Sequence, residues 1–334
     1  MMLVDSFQRR LDYLRVSVTD KCNLRCVYCV PAGSMPQMTH DEVLRNEEFV
    51  HFIGIFARLG VRKVRFTGGE PLLRKGFLNI VSETHRLYPS LELCLTTNGT
   101  LLEGVLGDLE WAGVSKINIS LDTLSRERYR ALTGHDRLDE VLANIDRTLA
   151  RGTFTVKINA VLMEDSLLEL EEFLQYFADR NIMMRFIERM PFGQSLNGGG
   201  AIPSSLLLGA LQTKGALVRD ADNDTRVAVM YTLHLGSGKS MRIGVIPSMT
   251  HRFCARCNRL RLACNGALRT CLYSGTGVDL KGPYRMDMGD SYLEELILRA
   301  VSRKPMQHQC GPEAQFPDGC ASLVFERRMS SIGG

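Results

Sequence analysis

The chain has 334 residues, 45% hydrophobic and 23% charged, with a formal net charge of +4 and an isoelectric point near 8.5. That length suits one large domain and a smaller one, and the mild basic excess falls short of the isoelectric point above ~9 that marks a nucleic-acid domain. No apolar run approaches the ~18 residues needed to span a bilayer. Ten cysteines without an export signal in the opening residues speak against a disulfide framework and for a reducing, cytoplasmic setting.

The first β-rich run, Tyr13–Val18, leads into Cys22-Asn-Leu-Arg-Cys26-Val-Tyr28-Cys29. Cys22, Cys26 and Cys29 can hold three corners of an iron–sulfur cube, leaving one iron free for a small molecule, since four thiolates normally close a [4Fe–4S] cluster. Zinc in a Cys₃His set is the rival, but no histidine lies within ten residues of Cys29. Further runs follow at Val61–Thr67, Leu91–Asn98, Lys116–Asp122, Thr155–Met163 and Ile182–Met190. Between them Asn46–Leu59, Lys75–Tyr88, Leu101–Trp111 and Leu167–Arg180 carry apolar residues at helical spacing. Such alternation predicts an α/β fold with parallel strands. Six units predict an open partial (β/α)6 barrel with its site at the carboxyl ends of the strands.

Parity within the strands predicts which face lines that site. Ile117, Ile119 and Leu121 share one face of their run, while Asn118, Ser120 and Asp122 share the other. Lys63, Arg65 and Thr67, then Thr96 and Asn98, then Lys157 and Asn159, fall on the same polar side. Helices outside take the apolar faces, so the polar faces line a concave interior.

After Met190 the character changes. Phe192–Gly200 is a polar, glycine-rich loop; Pro203–Leu211 is a short helix; Leu217–Val245 reads as hairpin-like strands about Leu235-Gly-Ser-Gly-Lys239. The domain boundary falls between 195 and 245; division at 215 gives a partial barrel, 1–215, and a smaller C-terminal cluster-binding domain, 216–334. The latter holds Cys254-Ala-Arg-Cys257-Asn-Arg259-Leu-Arg261-Leu, with Cys264 and Cys271 beyond it. Either could be a third ligand, and all four could make a zinc site. If Asn258–Leu262 is extended, Arg259 and Arg261 share a face with Cys257, where their forked donors suit phosphate or carboxylate. A helix, Ser291–Lys304, and an irregular tail complete the chain.

The octet and Thr67-Gly-Gly69-Glu-Pro71 resemble the signature of radical S-adenosylmethionine (SAM) enzymes. Asp5-Ser-Phe, Tyr13-Leu-Arg15, Thr96-Thr-Asn-Gly, Val156-Lys-Ile-Asn, Arg185-Phe-Ile-Glu, the second cysteine group and the terminal Ile332-Gly-Gly narrow the resemblance to the GTP 3′,8-cyclase family. It implies two [4Fe–4S] clusters, the second held by Cys254, Cys257 and Cys271, with Cys264 a core residue. It implies SAM contacts at Tyr28, Gly69, Ser120 and Met190, and GTP contacts at Arg15, Arg65, Thr96, Lys157, Arg259 and Arg261, with Lys63 and Arg185 in the same cleft. The implied reaction takes the ribose 3′ hydrogen of GTP and joins the sugar to guanine C8, opening molybdenum-cofactor biosynthesis. The implied partners are an electron donor such as flavodoxin or ferredoxin and the next enzyme of the molybdopterin pathway; a homodimer is compatible with the resemblance. Val30, Met163–Leu168, 195–240 and the region of Cys310 and Cys320 depart from the family pattern. They leave room for a paralogue acting on a peptide or other small molecule.

Overall fold

The computed structural model describes residues 2–29, 38–190, 202–220, 227–274 and 277–308. Val30, Phe192–Gly200, Cys310, Cys320 and the Gly333–Gly334 end lie outside the described residues.

Six parallel strands form the centre: β1 (Tyr13–Ser17), β2 (Lys63–Thr67), β3 (Glu92–Thr97), β4 (Val114–Ser120), β5 (Thr155–Leu162) and β6 (Met183–Glu188). The connecting helices are α1 (Asn46–Arg58), α2 (Phe77–Leu87), α3 (Leu106–Trp111), α4 (Arg126–Thr133), α5 (Leu138–Ala150) and α6 (Leu170–Phe177). Helix α3 starts five residues later than its apolar spacing suggests, because Gly104 adopts φ +80 in the turn before it, a conformation that favours glycine.

The remaining elements are α7 (Ser204–Gln212), β7 (Gly215–Arg219), β8 (Val229–Leu235), β9 (Ser240–Ile246), β10 (Arg259–Leu262), β11 (Ala267–Arg269), β12 (Val278–Asp279), α8 (Lys281–Arg285) and α9 (Asp290–Ser302). Their strands join the central sheet at both edges. Strand β10 pairs parallel to β1 and β9 parallel to β6, with β11–β12 and β8–β7 antiparallel beyond them. The order β12-β11-β10-β1-β2-β3-β4-β5-β6-β9-β8-β7 runs from one edge to the other, so the barrel is open.

Parity sorts the two faces as expected. Val64, Phe66, Leu93, Leu95, Ile117, Ile119, Val156 and Ile158 are buried in one apolar core with α1, α2 and α5. The alternate residues Lys63, Arg65, Thr96, Asn118, Ser120, Lys157 and Asn159 line the concave side.

Candidate functional site

The concave face encloses a cavity of about 380 Å³. Cys22, Cys26 and Cys29 line it at one place, and Cys254, Cys257 and Cys271 at another. Cys264 lies instead in the apolar core, fully buried.

The first cysteine loop is pinned by backbone. The Arg25 and Val27 amides donate to the carbonyls of Thr133 and Leu132, at 2.8 and 3.0 Å, and the Cys29 amide closes a turn onto Cys26. Cys22 Sγ accepts from the Leu24 amide at 3.4 Å and from Asn98 Nδ2 at 3.9 Å. Burial pushes the Cys22 thiol up, and burial with Cys29, Asp122 and Cys22 pushes Cys26 far up. Cys22 and Cys26 are thus unfavourable as free thiolates, and a bound metal centre would relieve that cost by drawing off their protons. Beside them the Gly68–Glu70 turn packs on the Thr19–Lys21 backbone. A Cβ at Gly69 would lie 2.1 Å from the Lys21 carbonyl oxygen, so no other residue fits there without displacing the backbone. Glu70, buried, fixes the turn by accepting from Thr97 Oγ1 and the Asn98 amide, both at 2.8 Å; burial raises its carboxyl to about 7.

Tyr28, Gly69, Ser120 and Met190 all line the cavity. The Tyr28 hydroxyl donates to Asp122 Oδ2 at 2.6 Å, and Asp122 Oδ1 accepts the Val161 amide at 2.8 Å, fixing the ring next to Cys29. Beyond the end of β6, buried Glu188 accepts from the amides of Ser204, Met249 and Thr250 and from the Thr250 hydroxyl. That carboxylate ties the Arg189–Met190 wall to the start of α7 and to the turn after β9.

The second cysteine group is held by long-range contacts. Arg9, paired with buried Asp5 at 2.6 Å, donates to the carbonyls of Cys254, Pro305 and Met306. The buried Lys304 ammonium donates to the carbonyls of Arg259 and Thr270. Burial raises the Cys254 thiol, although the His308 amide donates to it. Burial would also raise Cys257, but Lys304, Arg259 and the Arg259 amide outweigh it and bring that thiol down. Among the described residues no three His, Cys, Asp or Glu side chains converge to hold a single metal ion. Six cysteines lining one cavity, three on the loop after β1, two before β10 and one after β11, supply the donor chemistry of two iron–sulfur clusters with three ligands each.

Between the two groups lies a wall of cations. In-register pairing of β10, β1 and β2 makes two rows across the strands, Arg259–Tyr13–Lys63 and Arg261–Arg15–Arg65. Lys157 and Arg185 face them from β5 and β6. Burial, then repulsion from Arg15 and Arg259, brings Arg261 down to about 9. Burial, then Arg185, Lys63, Arg65 and Lys116, brings Lys157 down to about 7. Arg65 donates to the Tyr13 hydroxyl, to the Leu95 carbonyl and, at 3.4 Å, to the Thr96 hydroxyl. Arg185 Nε and Nη2, Arg259 Nε and the Oδ1 atoms of Asn118 and Asn159 are buried without a partner. Orphaned buried donors amid repelling cations call for a polyanion.

Arg15, Arg65, Thr96, Lys157, Arg259 and Arg261 therefore share one wall. Asn118, Asp122 and Asn159 sit on the polar faces read from strand parity, and period two is their signal. Glu188 closes the Arg185-Phe-Ile-Glu motif, whereas Arg9, Lys304 and His308 had no signal in the sequence, because each acts on segments far away along the chain.

A family model for the radical SAM superfamily matches residues 16–177, and one described as Molybdenum Cofactor Synthesis C matches 182–310. A GTP 3′,8-cyclase of Heliobacterium modesticaldum is 39% identical, over 99% of this chain and all of that one. One of Pseudomonas entomophila is 40% identical, over 94% and 95% of the two chains. The chain belongs to the GTP 3′,8-cyclase family. Streptococcus suis SuiB bound to its precursor peptide SuiA superposes with a TM-score of 0.65 at 15% identity, over 88% of this chain and 65% of that one. SuiB bound to S-adenosylmethionine gives 0.60 at 15% identity, over 80% and 62%. This chain thus spans less than two-thirds of SuiB, and the likeness carries the fold alone.

Proposed function

We propose that this chain is a radical SAM GTP 3′,8-cyclase, converting GTP into 3′,8-cyclo-7,8-dihydro-GTP in the first step of molybdenum-cofactor biosynthesis. The observation that carries the reading is the opening of both cysteine triads and the cation wall into one cavity. Cys22, Cys26 and Cys29 would hold the first [4Fe–4S] cluster; Cys254, Cys257 and Cys271 would hold the second. Bound there, the first cluster and SAM would supply the radical chemistry that activates the ribose of GTP.

The chain's own residues bind, orient and enclose. Tyr28, fixed by Asp122, the Gly69 turn, Ser120 and Met190 would hold SAM over the first cluster. Arg15, Arg65, Thr96, Lys157, Arg259 and Arg261 would hold GTP, with the arginine forks on phosphate oxygens. The apolar backing of each strand keeps the wall rigid, so sugar and guanine are presented in a fixed pose; such positioning supplies most of the protein's share of catalysis. No side chain need transfer a proton in the bond-forming step.

Residues 1–215 would form the SAM-cleaving part and 216–334 the part that binds the second cluster, joined by one sheet. An electron donor of flavodoxin or ferredoxin type and the next enzyme of the molybdopterin pathway are the expected partners. Among the described residues no helix is long and apolar enough to cross a membrane, and cytoplasmic location fits the thiolate ligands. Anaerobic incubation of the reconstituted chain with SAM, reductant and GTP should yield a nucleotide of the same mass as GTP but different chromatographic mobility. If GTP emerged unaltered while SAM was consumed, the substrate assignment would fail.

A further inference from the structure

Tyr13 stands in the cation wall with no part in the reading above. Strand register places it between Arg259 and Lys63, one step from the row Arg261–Arg15–Arg65. Its hydroxyl accepts the Arg65 Nε–H at 2.8 Å and is also hydrogen-bonded to Arg15. The Lys63 ammonium lies 5.4 Å from its ring centroid and the Arg259 guanidinium 5.8 Å, within cation–π range. Glu92, next along the row, is shared by Lys63 and Lys116, at 3.0 and 2.7 Å. Tyr13 therefore offers an oxygen to two arginines and a ring face to two further cations. Like charges so close in a buried wall repel strongly, and an oxygen between two guanidiniums offsets that repulsion and fixes their forks.

We propose that Tyr13 is a positioning residue that stands in for a phosphate oxygen, holding Arg15 and Arg65 in place until the triphosphate takes them over. The inference rests on the nucleotide reading and adds to it a proton linkage. Burial would raise the Tyr13 phenol, but Arg65, Arg15, Arg259 and Lys63 outweigh it and bring it down to about 7. Arg65 answers: burial pulls it down, yet Tyr13 holds it above its ordinary value. Arg185, across the cavity, is brought down to about 9 by burial and Arg65, with Tyr13 opposing.

A bound polyanion raises the pKa of every acid and base beside it. Above pH 7 triphosphate binding thus drives a proton onto Tyr13, and a second onto Lys157, which is also brought down to about 7. Both linkages have one sign: proton uptake on binding weakens affinity as pH rises from 7 to 9.

The test is calorimetric binding of GTP to reconstituted holoprotein without SAM, in buffers of different ionisation enthalpy, for wild type and Tyr13→Phe. Near pH 8.5 the wild type should take up about one proton more per GTP than the variant, the share of Tyr13 beyond that of Lys157, Arg185 and Arg261. As pH rises above 7 the variant's affinity for GTP should fall less steeply than wild type's, by about tenfold less per pH unit. Iron content and both cluster spectra should match wild type. Equal proton uptake in the two proteins overturns the role of Tyr13, whereas absence of GTP binding in wild type overturns the nucleotide reading. If Tyr13→Phe loads iron poorly, difluorotyrosine at position 13 supplies a second test. Its more acidic phenol should move the onset of proton uptake to lower pH, and an unmoved onset refutes the proposal.

Discussion

Arg261→Met should strengthen the fold and weaken the site together. Arg261 is buried at 6% exposure, and burial with Arg15 and Arg259 brings it down from 12.5 to about 9. At neutral pH the guanidinium is charged in folded and unfolded chains alike, so the whole cost acts against folding; it would fade only as pH rises above the folded value. At about 1.4 kcal/mol per pH unit that is on the order of 4–5 kcal/mol. Methionine keeps most of the stem and drops the charge, and replacing buried charges by apolar groups of similar volume gains about 1–4 kcal/mol at best. After loss of the hydrogen bonds Arg261 makes, a net gain of about 1–3 kcal/mol remains, a rise in Tm of about 2–5 °C. GTP binding should move the other way. One charge-assisted fork is worth about 1.5–3 kcal/mol, so affinity should fall about ten- to a hundredfold and the GTP-induced rise in Tm should shrink. Thermal unfolding of wild type and variant at matched iron content, with and without GTP, reads both effects. A variant that is less stable without GTP and keeps the full GTP-induced shift would refute the reasoning.

Loss of single cysteines should separate the two metal centres. Cys26→Ser should release no 5′-deoxyadenosine from SAM, whereas Cys257→Ser should still cleave SAM but form no cyclised nucleotide, as chromatography of both products would show. Lys304→Met removes the buried ammonium that joins the Arg259 and Thr270 carbonyls and lowers the Cys257 thiol. It should lose about half of the iron, or shift the reduction potential of the second cluster downward, while the first keeps its spectrum; an unchanged second-cluster spectrum and potential would count against that role.

Much of the site was legible because its signals are local. Period-two alternation put Arg65, Thr96, Asn118, Ser120 and Lys157 on the face that lines the cavity, and the spacing of Cys22, Cys26 and Cys29 lies within one loop. Edge pairing was not legible. Strands β10 and β9 attach to opposite edges, and no residue near Arg259 signals that Tyr13 will be its parallel neighbour. The two cross-strand rows of the wall exist only through that register. Boundaries shifted where hydrogen bonding and side-chain pattern part company. Strand β4 begins at Val114, across a bulge at Leu93/Cys94, and Asp122 continues its polar face beyond the ladder. Arg9 and Lys304 were invisible for a further reason. They satisfy backbone carbonyls, which carry no sequence identity, so no residue pattern marks them as parts of the second cysteine site.

Isotope transfer tests the central claim most directly. GTP carrying deuterium at the ribose 3′ carbon, incubated anaerobically with the reconstituted chain, SAM and reductant, should place one deuterium in 5′-deoxyadenosine. A cyclised nucleotide lacking that deuterium should form in equal amount. Deoxyadenosine that forms without deuterium, or at the same rate when GTP is left out, would contradict the account.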